Sequence, residues 1–88
     1  MNIYGTTFVA RCPANGKAIS YMLRIHTGAT LMVEDIRAAV ESITEGYHEA
    51  IADQLCERFG GSQRLTAKHH GVEIETIRPH LAHWSPAA

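Results

Sequence analysis

The chain begins with two stretches in which apolar and polar residues alternate, which is the pattern of half-buried strands. Residues 6–11 alternate in this way, and in residues 19–25 the odd positions are apolar while the even ones are Ser20, Met22 and Arg24. Between the two stretches, Pro13 and Asn15-Gly16 favour a tight turn. The pattern therefore predicts a β-hairpin.

From Leu31 the apolar period changes to that of a helix. One helix face is formed by four apolar residues at i, i+3, i+4 and i+7, namely Ile36, Ala39, Val40 and Ile43. Residues 44–46 interrupt the pattern, and a second helix is predicted from about Tyr47. Its apolar stripe consists of Ile51, Ala52, Leu55, Cys56 and Phe59, and Gly60-Gly61 predicts its end.

Alternation returns in residues 63–69 and 72–78, with His70-Gly71 as the expected turn of a second hairpin, and residues 79–88 are expected to form an irregular tail. The element order is ββααββ. We therefore expect the α+β class, with a four-stranded antiparallel sheet that carries two antiparallel helices on one face. Residues 1–88 are read as a single domain.

Composition narrows the class of protein. The chain has 88 residues, 45% of them hydrophobic and 19% charged, and its net charge is −1, so bulk electrostatic binding of nucleic acid is not expected. The first residues lack the basic start and apolar run of a signal peptide, and no segment is long enough to cross a bilayer. A cytoplasmic protein without membrane contact is predicted, with Cys12 and Cys56 as free thiols.

Three side chains carry candidate chemistry. Cys12 follows the first predicted strand, and His48 and Glu49 open the second predicted helix. A thiol, an imidazole and a carboxylate are the groups that nucleophilic catalysis with proton transfer requires. Each also has a structural interpretation: Cys12 as an inert strand-end residue, and His48 and Glu49 as N-terminal helix residues, where the Glu49 carboxylate complements the helix dipole. Cys56 lies on the apolar stripe and is read as core.

The six histidines raise the question of a metal site. His69 and His70, with Cys12 or His48, would supply nitrogen and sulfur ligands of the kind that zinc prefers. However, the chain has no CxxC, HxxxH or HExxH spacing, and adjacent strand residues point to opposite faces. We therefore expect neither a metal nor another cofactor.

Several short motifs, in their order along the chain, resemble the QueF and QueF-like family of the tunnelling fold (T-fold). They are Cys12-Pro13, Met32-Val33-Glu34, Tyr47-His48-Glu49 and Gly71-Val72-Glu73-Ile74-Glu75. The resemblance covers roughly residues 8 to 78. It implies the ββααββ T-fold and activity on the nitrile of 7-cyano-7-deazaguanine, either as a small molecule or within modified tRNA.

The family contains two activities, and the resemblance favours one of them. The bacterial reductases carry a Glu-Ser-Lys-Ser-Leu-Lys type run that serves NADPH binding, whereas here Glu34 is followed by Asp35-Ile36-Arg37-Ala38. The archaeal QueF-like enzymes lack that run and form the amidine of archaeosine. Amidination is therefore expected, with NADPH-dependent nitrile reduction as the alternative. A non-catalytic T-fold protein that binds purines or a partner is a second alternative.

The resemblance also implies roles for individual residues. Cys12 would form a thioimide with the nitrile carbon, Glu49 would bind the deazapurine edge, and Glu34 is a second candidate for substrate binding or a structural residue of the first helix. The family aspartate that donates a proton has no counterpart between Cys12 and Ser20, so His48 is expected to transfer protons instead. T-fold enzymes form rings with active sites between subunits, which implies a homo-oligomer, pentameric or decameric.

Overall fold

The computed structural model describes residues 1–79, so most of the expected irregular tail, residues 80–88, lies outside the described residues. The elements are β1 (Asn2–Arg11), β2 (Ala18–Thr27), α1 (Val33–Ser42), α2 (His48–Phe59), β3 (Ser62–His69) and β4 (Val72–Arg78). This is the ββααββ order expected from the sequence. The α+β class and both hairpin turns are confirmed.

The four strands form one antiparallel sheet in the order β1-β2-β3-β4. β1 starts at Asn2, four residues before the alternation predicted it. All ten of its residues pair with β2, including Tyr4 opposite Ile25. The Tyr4 hydroxyl also accepts a hydrogen bond from the amide of Leu31 at 3.0 Å. Pairing with a distant segment therefore extends β1 beyond its local signal.

Both helices pack on the same face of the sheet. The strand residues of this face and the helix stripes form a single core of buried residues: Phe8, Ala10, Ile19, Tyr21, Leu23, Ile25, Ile36, Val40, Ile43, Ile51, Ala52, Leu55, Leu65 and Ala67. α1 lies against β1, whereas α2 lies against β3 and β4. Burial of this apolar surface is the main stabilising contribution to so short a chain.

The sheet has two ends that differ in what they carry. At the turn end, β1 passes through Cys12 into its loop and β3 turns through His70-Gly71 into β4. At the far end, Asn2 pairs with Thr27 and Gln63 pairs with Arg78. α1 runs from the far end to the turn end and α2 runs back, so the helices are antiparallel, as expected.

Candidate functional site

A cavity of about 700 Å³ opens at the turn end of the sheet. It is lined by residues from β1, β3, β4 and the start of α2: Cys12, Gly46, Tyr47, His48, Glu49, His69, Ile74 and Thr76. Its volume falls within the range of roughly 300–1,000 Å³ that is usual for small-molecule sites. One chain thus brings Cys12, His48 and Glu49 to a common cavity.

Backbone pairing between distant segments places Cys12 beside the start of α2. The amide of Arg11 donates to the carbonyl of Thr44 at 2.9 Å, and the amide of Gly46 donates to the carbonyl of Arg11 at 3.2 Å. The linker between the two helices therefore extends the sheet locally along the end of β1. The residues that open α2 follow this linker directly, which sets them against the cysteine.

The backbone around Cys12 is fixed by its own loop. Its amide donates to the carbonyl of Lys17 at 2.9 Å, and its carbonyl accepts from the amide of Gly16 at 2.8 Å. Asn15 also contacts Nε2 of His70 at 3.2 Å, which ties this loop to the β3–β4 turn. The Cys12 thiol is half-buried and unoxidised. Cys12 thus has a defined position with access to the cavity.

His48 is 7% exposed, and both of its ring nitrogens have partners. Nε2 lies 3.0 Å from the carbonyl oxygen of Leu65, and Nδ1 lies 3.2 Å from Nε2 of His69. The pKa of His48 is lowered, first by burial and also by His69 and Arg78, against opposing effects of the Leu65 hydrogen bond and Glu49. His48 is therefore held as a neutral imidazole at the wall of the cavity.

His69 is a cavity residue that the sequence interpretation considered only as a metal ligand. It is half-buried at the end of β3 and lines the cavity together with Cys12. Alternation along β3 offers the signal that would have found it, because His69 shares a face with Leu65 and Ala67, which belong to the core. A histidine at the end of a strand, on the face that packs against the helices, is a candidate for a functional site.

Tyr21 lies beneath the two histidines and was read from the sequence only as a strand residue. Its ring centroid is 5.4 Å from that of His48 and 6.0 Å from that of His69, and it stacks on Phe8 at 5.1 Å. Its buried hydroxyl makes no hydrogen bond to any residue from 1 to 79. Burial raises the pKa of Tyr21, and the charge of Cys12 adds to the effect.

Glu49 lines the same cavity but extends into solvent, with 81% of its side chain exposed. Its carboxylate is 3.9 Å from the Arg78 guanidinium, which bonds more closely to Asp53 at 2.9 Å. So exposed and loose an ion pair contributes little to stability. The carboxylate is therefore accessible to a ligand.

Glu34 is separated from this group. It lies exposed in the first turn of α1. The neighbouring residues Val33 and Ile36 line a small recess with Tyr4 at the far end of the sheet. Within one chain, the structure does not bring Glu34 to the cavity.

Two observations on residues 1–79 concern metal binding and membrane-spanning helices. Among residues 1–79, no three His, Cys, Asp or Glu side chains are grouped so that they could hold a metal ion. In the same part of the chain, neither helix is long and apolar enough to cross a membrane.

The sequence matches no protein-family model and no curated protein. The fold, however, resembles a solved structure, the crystal structure of the archaeosine synthase QueF-Like in the apo form, with a TM-score of 0.72 and 24% sequence identity. The match covers 88% of this chain and 89% of that chain. At this level of identity the likeness is one of fold, and the chain thus has the ββααββ fold of a QueF-like protein.

Proposed function

We propose that this protein is a QueF-like enzyme that converts the nitrile of 7-cyano-7-deazaguanine, free or within tRNA, into an amidine through a thioimide on Cys12. The observation that carries the proposal is the single cavity lined by Cys12, His48 and Glu49. The family resemblance assigned Cys12 as the nucleophile and Glu49 to base recognition, and His48 was expected to take the place of the absent aspartate in proton transfer. The shared fold supports a QueF-like function.

The chemistry proceeds in two balanced steps. The Cys12 thiolate forms a bond to the nitrile carbon, and one π bond of the C≡N group becomes a lone pair on nitrogen that takes up a proton. Ammonia then adds to the thioimide carbon and the thiolate leaves, which gives the amidine. One proton is consumed in the first step and released in the second.

Glu49 is suited to recognition of the base. Its carboxylate accepts hydrogen bonds only, and the N–H groups of a deazaguanine ring donate them. Because most of the Glu49 side chain is exposed beside the cavity, it reaches a ligand without breaking a strong ion pair. We expect Glu49→Gln to weaken ligand binding while Cys12 keeps its reactivity.

The assembly is proposed to be a homo-oligomer, pentameric or decameric by family resemblance. β1 and β4 are the edge strands, and both expose apolar side chains, among them Val9 and Ile77. Pairing of these edges between subunits would satisfy the backbone groups that an edge strand leaves unpaired. Glu34 would reach a substrate only from a neighbouring subunit. Light scattering that gives the mass of a monomer would contradict this assembly.

A non-catalytic binding protein is the alternative that one observation favours. Glu49 is the only carboxylate that lines the cavity within residues 1–79, and the Cys12 loop carries no aspartate. A pocket whose Cys12 loop carries no aspartate fits a protein that binds the base without transforming it. Reduction is less favoured, since α1 lacks the two lysines of the NADPH run.

An intact mass spectrum after incubation with 7-cyano-7-deazaguanine tests the proposal. Addition of a thiol to a nitrile expels no leaving group, so the wild type is expected to gain the full ligand mass. Cys12→Ala should gain nothing, and Cys56→Ala, which alters the buried cysteine, should still form the adduct.

The other outcomes separate the alternatives. Binding of the ligand by calorimetry without an adduct would favour the non-catalytic protein. Absence of both adduct and binding would contradict the proposed substrate class. If the adduct forms, ammonia should release the amidine, whereas release of an amine that requires NADPH would favour the reductase.

A further inference from the structure

The bonding of His48 fixes where its proton lies. A carbonyl oxygen only accepts hydrogen bonds, so Nε2, at 3.0 Å from the Leu65 oxygen, must carry a proton. In the neutral ring, Nδ1 then has a lone pair, and it accepts from Nε2–H of His69 at 3.2 Å. Neither nitrogen of a neutral His48 is therefore free to give a proton to a ligand.

His69 is placed differently. Its Nε2 is directed to His48, while its Nδ1 makes no hydrogen bond to a described side chain or backbone group. The ring lines the main cavity and also a smaller recess that reaches Cys12 from the side of the β1–β2 loop. His69 thus has one ring nitrogen bonded to His48 and the other without a partner among the described residues, in a ring that shares two cavities with Cys12.

The rings of His48 and His69 differ in burial and in the number of partners that their nitrogens have. The titratable or charged groups that face them are Tyr21 from β2, Cys12 and Lys17 from the β1–β2 loop, Glu49 from α2, His70 from the β3–β4 turn and Arg78 from β4. Burial lowers the pKa of His48. His69 is the more exposed of the two rings, and its Nδ1 is the ring nitrogen of the pair that has no partner among the described residues.

We propose that His69 is the catalytic residue that protonates the substrate nitrogen, and that His48 is a positioning residue that orients His69 and fixes its tautomer. This inference rests on the proposed function and names the group that replaces the absent aspartate. When the Cys12 sulfur bonds to the nitrile carbon, the nitrogen takes a proton from Nδ1 of the imidazolium form of His69, which is left neutral with its remaining proton on Nε2. When ammonia adds and the thiolate leaves, the released proton returns to His69.

The test compares the rate of thioimide formation in His69→Gln and in His26→Gln, the same change at a histidine of β2 that pairs with Ile3 at the far end of the sheet. Loss of a positioned acid slows a reaction by about 100-fold or more, so we expect that effect in His69→Gln and none in His26→Gln. Iodoacetamide alkylation of Cys12 needs no acid. Its rate should be unchanged in both variants, which also shows that the site is folded.

Two substitutions of His48 separate positioning from direct proton donation. The amide side chain in His48→Asn would retain an acceptor near the position of Nδ1, whereas the aliphatic side chain in His48→Leu would retain none. We expect thioimide formation in His48→Asn within about 10-fold of the wild type and in His48→Leu about 100-fold slower. Equal loss in the two variants would overturn the positioning role, because a proton donor at residue 48 would be missing from both.

The outcomes distinguish this inference from the proposed function. A wild type that forms no thioimide overturns the proposed function, and the acid role with it. A His69→Gln variant that forms the thioimide at the wild-type rate overturns the acid role alone. Nitrogen-15 spectra of the histidine rings give a readout without ligand. We expect His48 to be protonated at Nε2 only. A proton on Nδ1 of His48 would contradict the hydrogen bond from His69 to His48 and the positioning role that depends on it.

Discussion

The two ends of the sheet differ in how their polar side chains are hydrogen-bonded. At the far end, the Tyr4 hydroxyl accepts from the Leu31 amide, and the Gln63 side-chain amide donates to the carbonyls of Leu55 and Gly60 at 3.0 and 2.7 Å. At the turn end, the Tyr21 hydroxyl has no partner among residues 1–79, and the thiol of Cys12 faces a cavity.

The difference concerns how the polar groups at each end affect stability. Polar groups that hydrogen-bond within the protein contribute to the free energy of folding, whereas buried polar groups without a partner cost free energy. At the far end, such bonds join Leu31 and α2 to the sheet, while the Oε1 atom of Gln63 is buried without a partner among residues 1–79. The turn end leaves polar groups for a ligand, and substitutions at the two ends should therefore separate stability from activity.

The largest expected effect is at the far end, in Gly61→Ala. Gly61 has φ +68°, and an added Cβ would lie 2.6 Å from the carbonyl oxygen of His26. Strain and overlap together should lower the free energy of unfolding by about 3 kcal/mol, measured by urea denaturation. The control is Gly71→Ala at the turn end, where φ is +80° but nothing lies within 4 Å.

Gly71→Ala carries only the backbone cost and should lose about 1 kcal/mol. Equal losses in the two variants would contradict the view that the close approach to His26 is what requires glycine at position 61.

The two cysteines give the next comparison. Cys56 is 0% exposed in the core, so Cys56→Ala should lower the free energy of unfolding by about 1.5 kcal/mol through the space left by sulfur. Cys12→Ala at the cavity should change it by less than about 0.5 kcal/mol. Burial also raises the pKa of Cys56, so iodoacetamide should label Cys12 first in the folded protein. Faster labelling of Cys56 would contradict the assignment of Cys56 to the core and of Cys12 to the cavity.

Substitution of the two tyrosines should have different effects on stability. Tyr4→Phe removes a hydroxyl that accepts from the Leu31 amide and should cost about 1 kcal/mol of unfolding free energy. Tyr21→Phe removes a buried hydroxyl without a partner and should cost nothing, or stabilise by up to about 1 kcal/mol. Destabilisation by Tyr21→Phe would show that the hydroxyl is bonded in solution, which would weaken the contrast between the two ends.

The smallest effect concerns pH. The folded pKa of His48 lies below its ordinary value of 6.5, mainly because the ring is buried. The unfolded chain therefore binds more protons between the two values, and the free energy of unfolding should fall as pH decreases from about 6.5 through the folded pKa. One group contributes at most about 1.4 kcal/mol per pH unit.

Replacement of His48 by Asn isolates this contribution. Acid-sensitive groups elsewhere are common to both proteins and cancel in the difference between the wild type and His48→Asn. We expect a shallower loss of stability in the variant when urea denaturation is repeated between pH 7 and 5. Parallel curves would contradict the burial of a neutral His48.

The sequence by itself determined the element order and the apolar faces. Strand alternation and helical spacing are local, and the residues that stop each element, such as Pro13 and Gly60, act through their own backbone. The expected elements are therefore found within a few residues, and the larger error, at the start of β1, arises where pairing of Tyr4 with Ile25 extends the strand. Local pattern contains no information about such a partner.

Only the tertiary structure decided which candidates meet. Pairing of Arg11 with residues 44–46 places Cys12 beside the start of α2, and the direction of α1 carries Glu34 to the other end of the sheet. The contact between His48 and His69 joins residues 21 positions apart in the sequence. Residue type suggested the nucleophile, whereas the proton donor proposed here depends on which ring nitrogen is already bonded, and that is a property of packing alone.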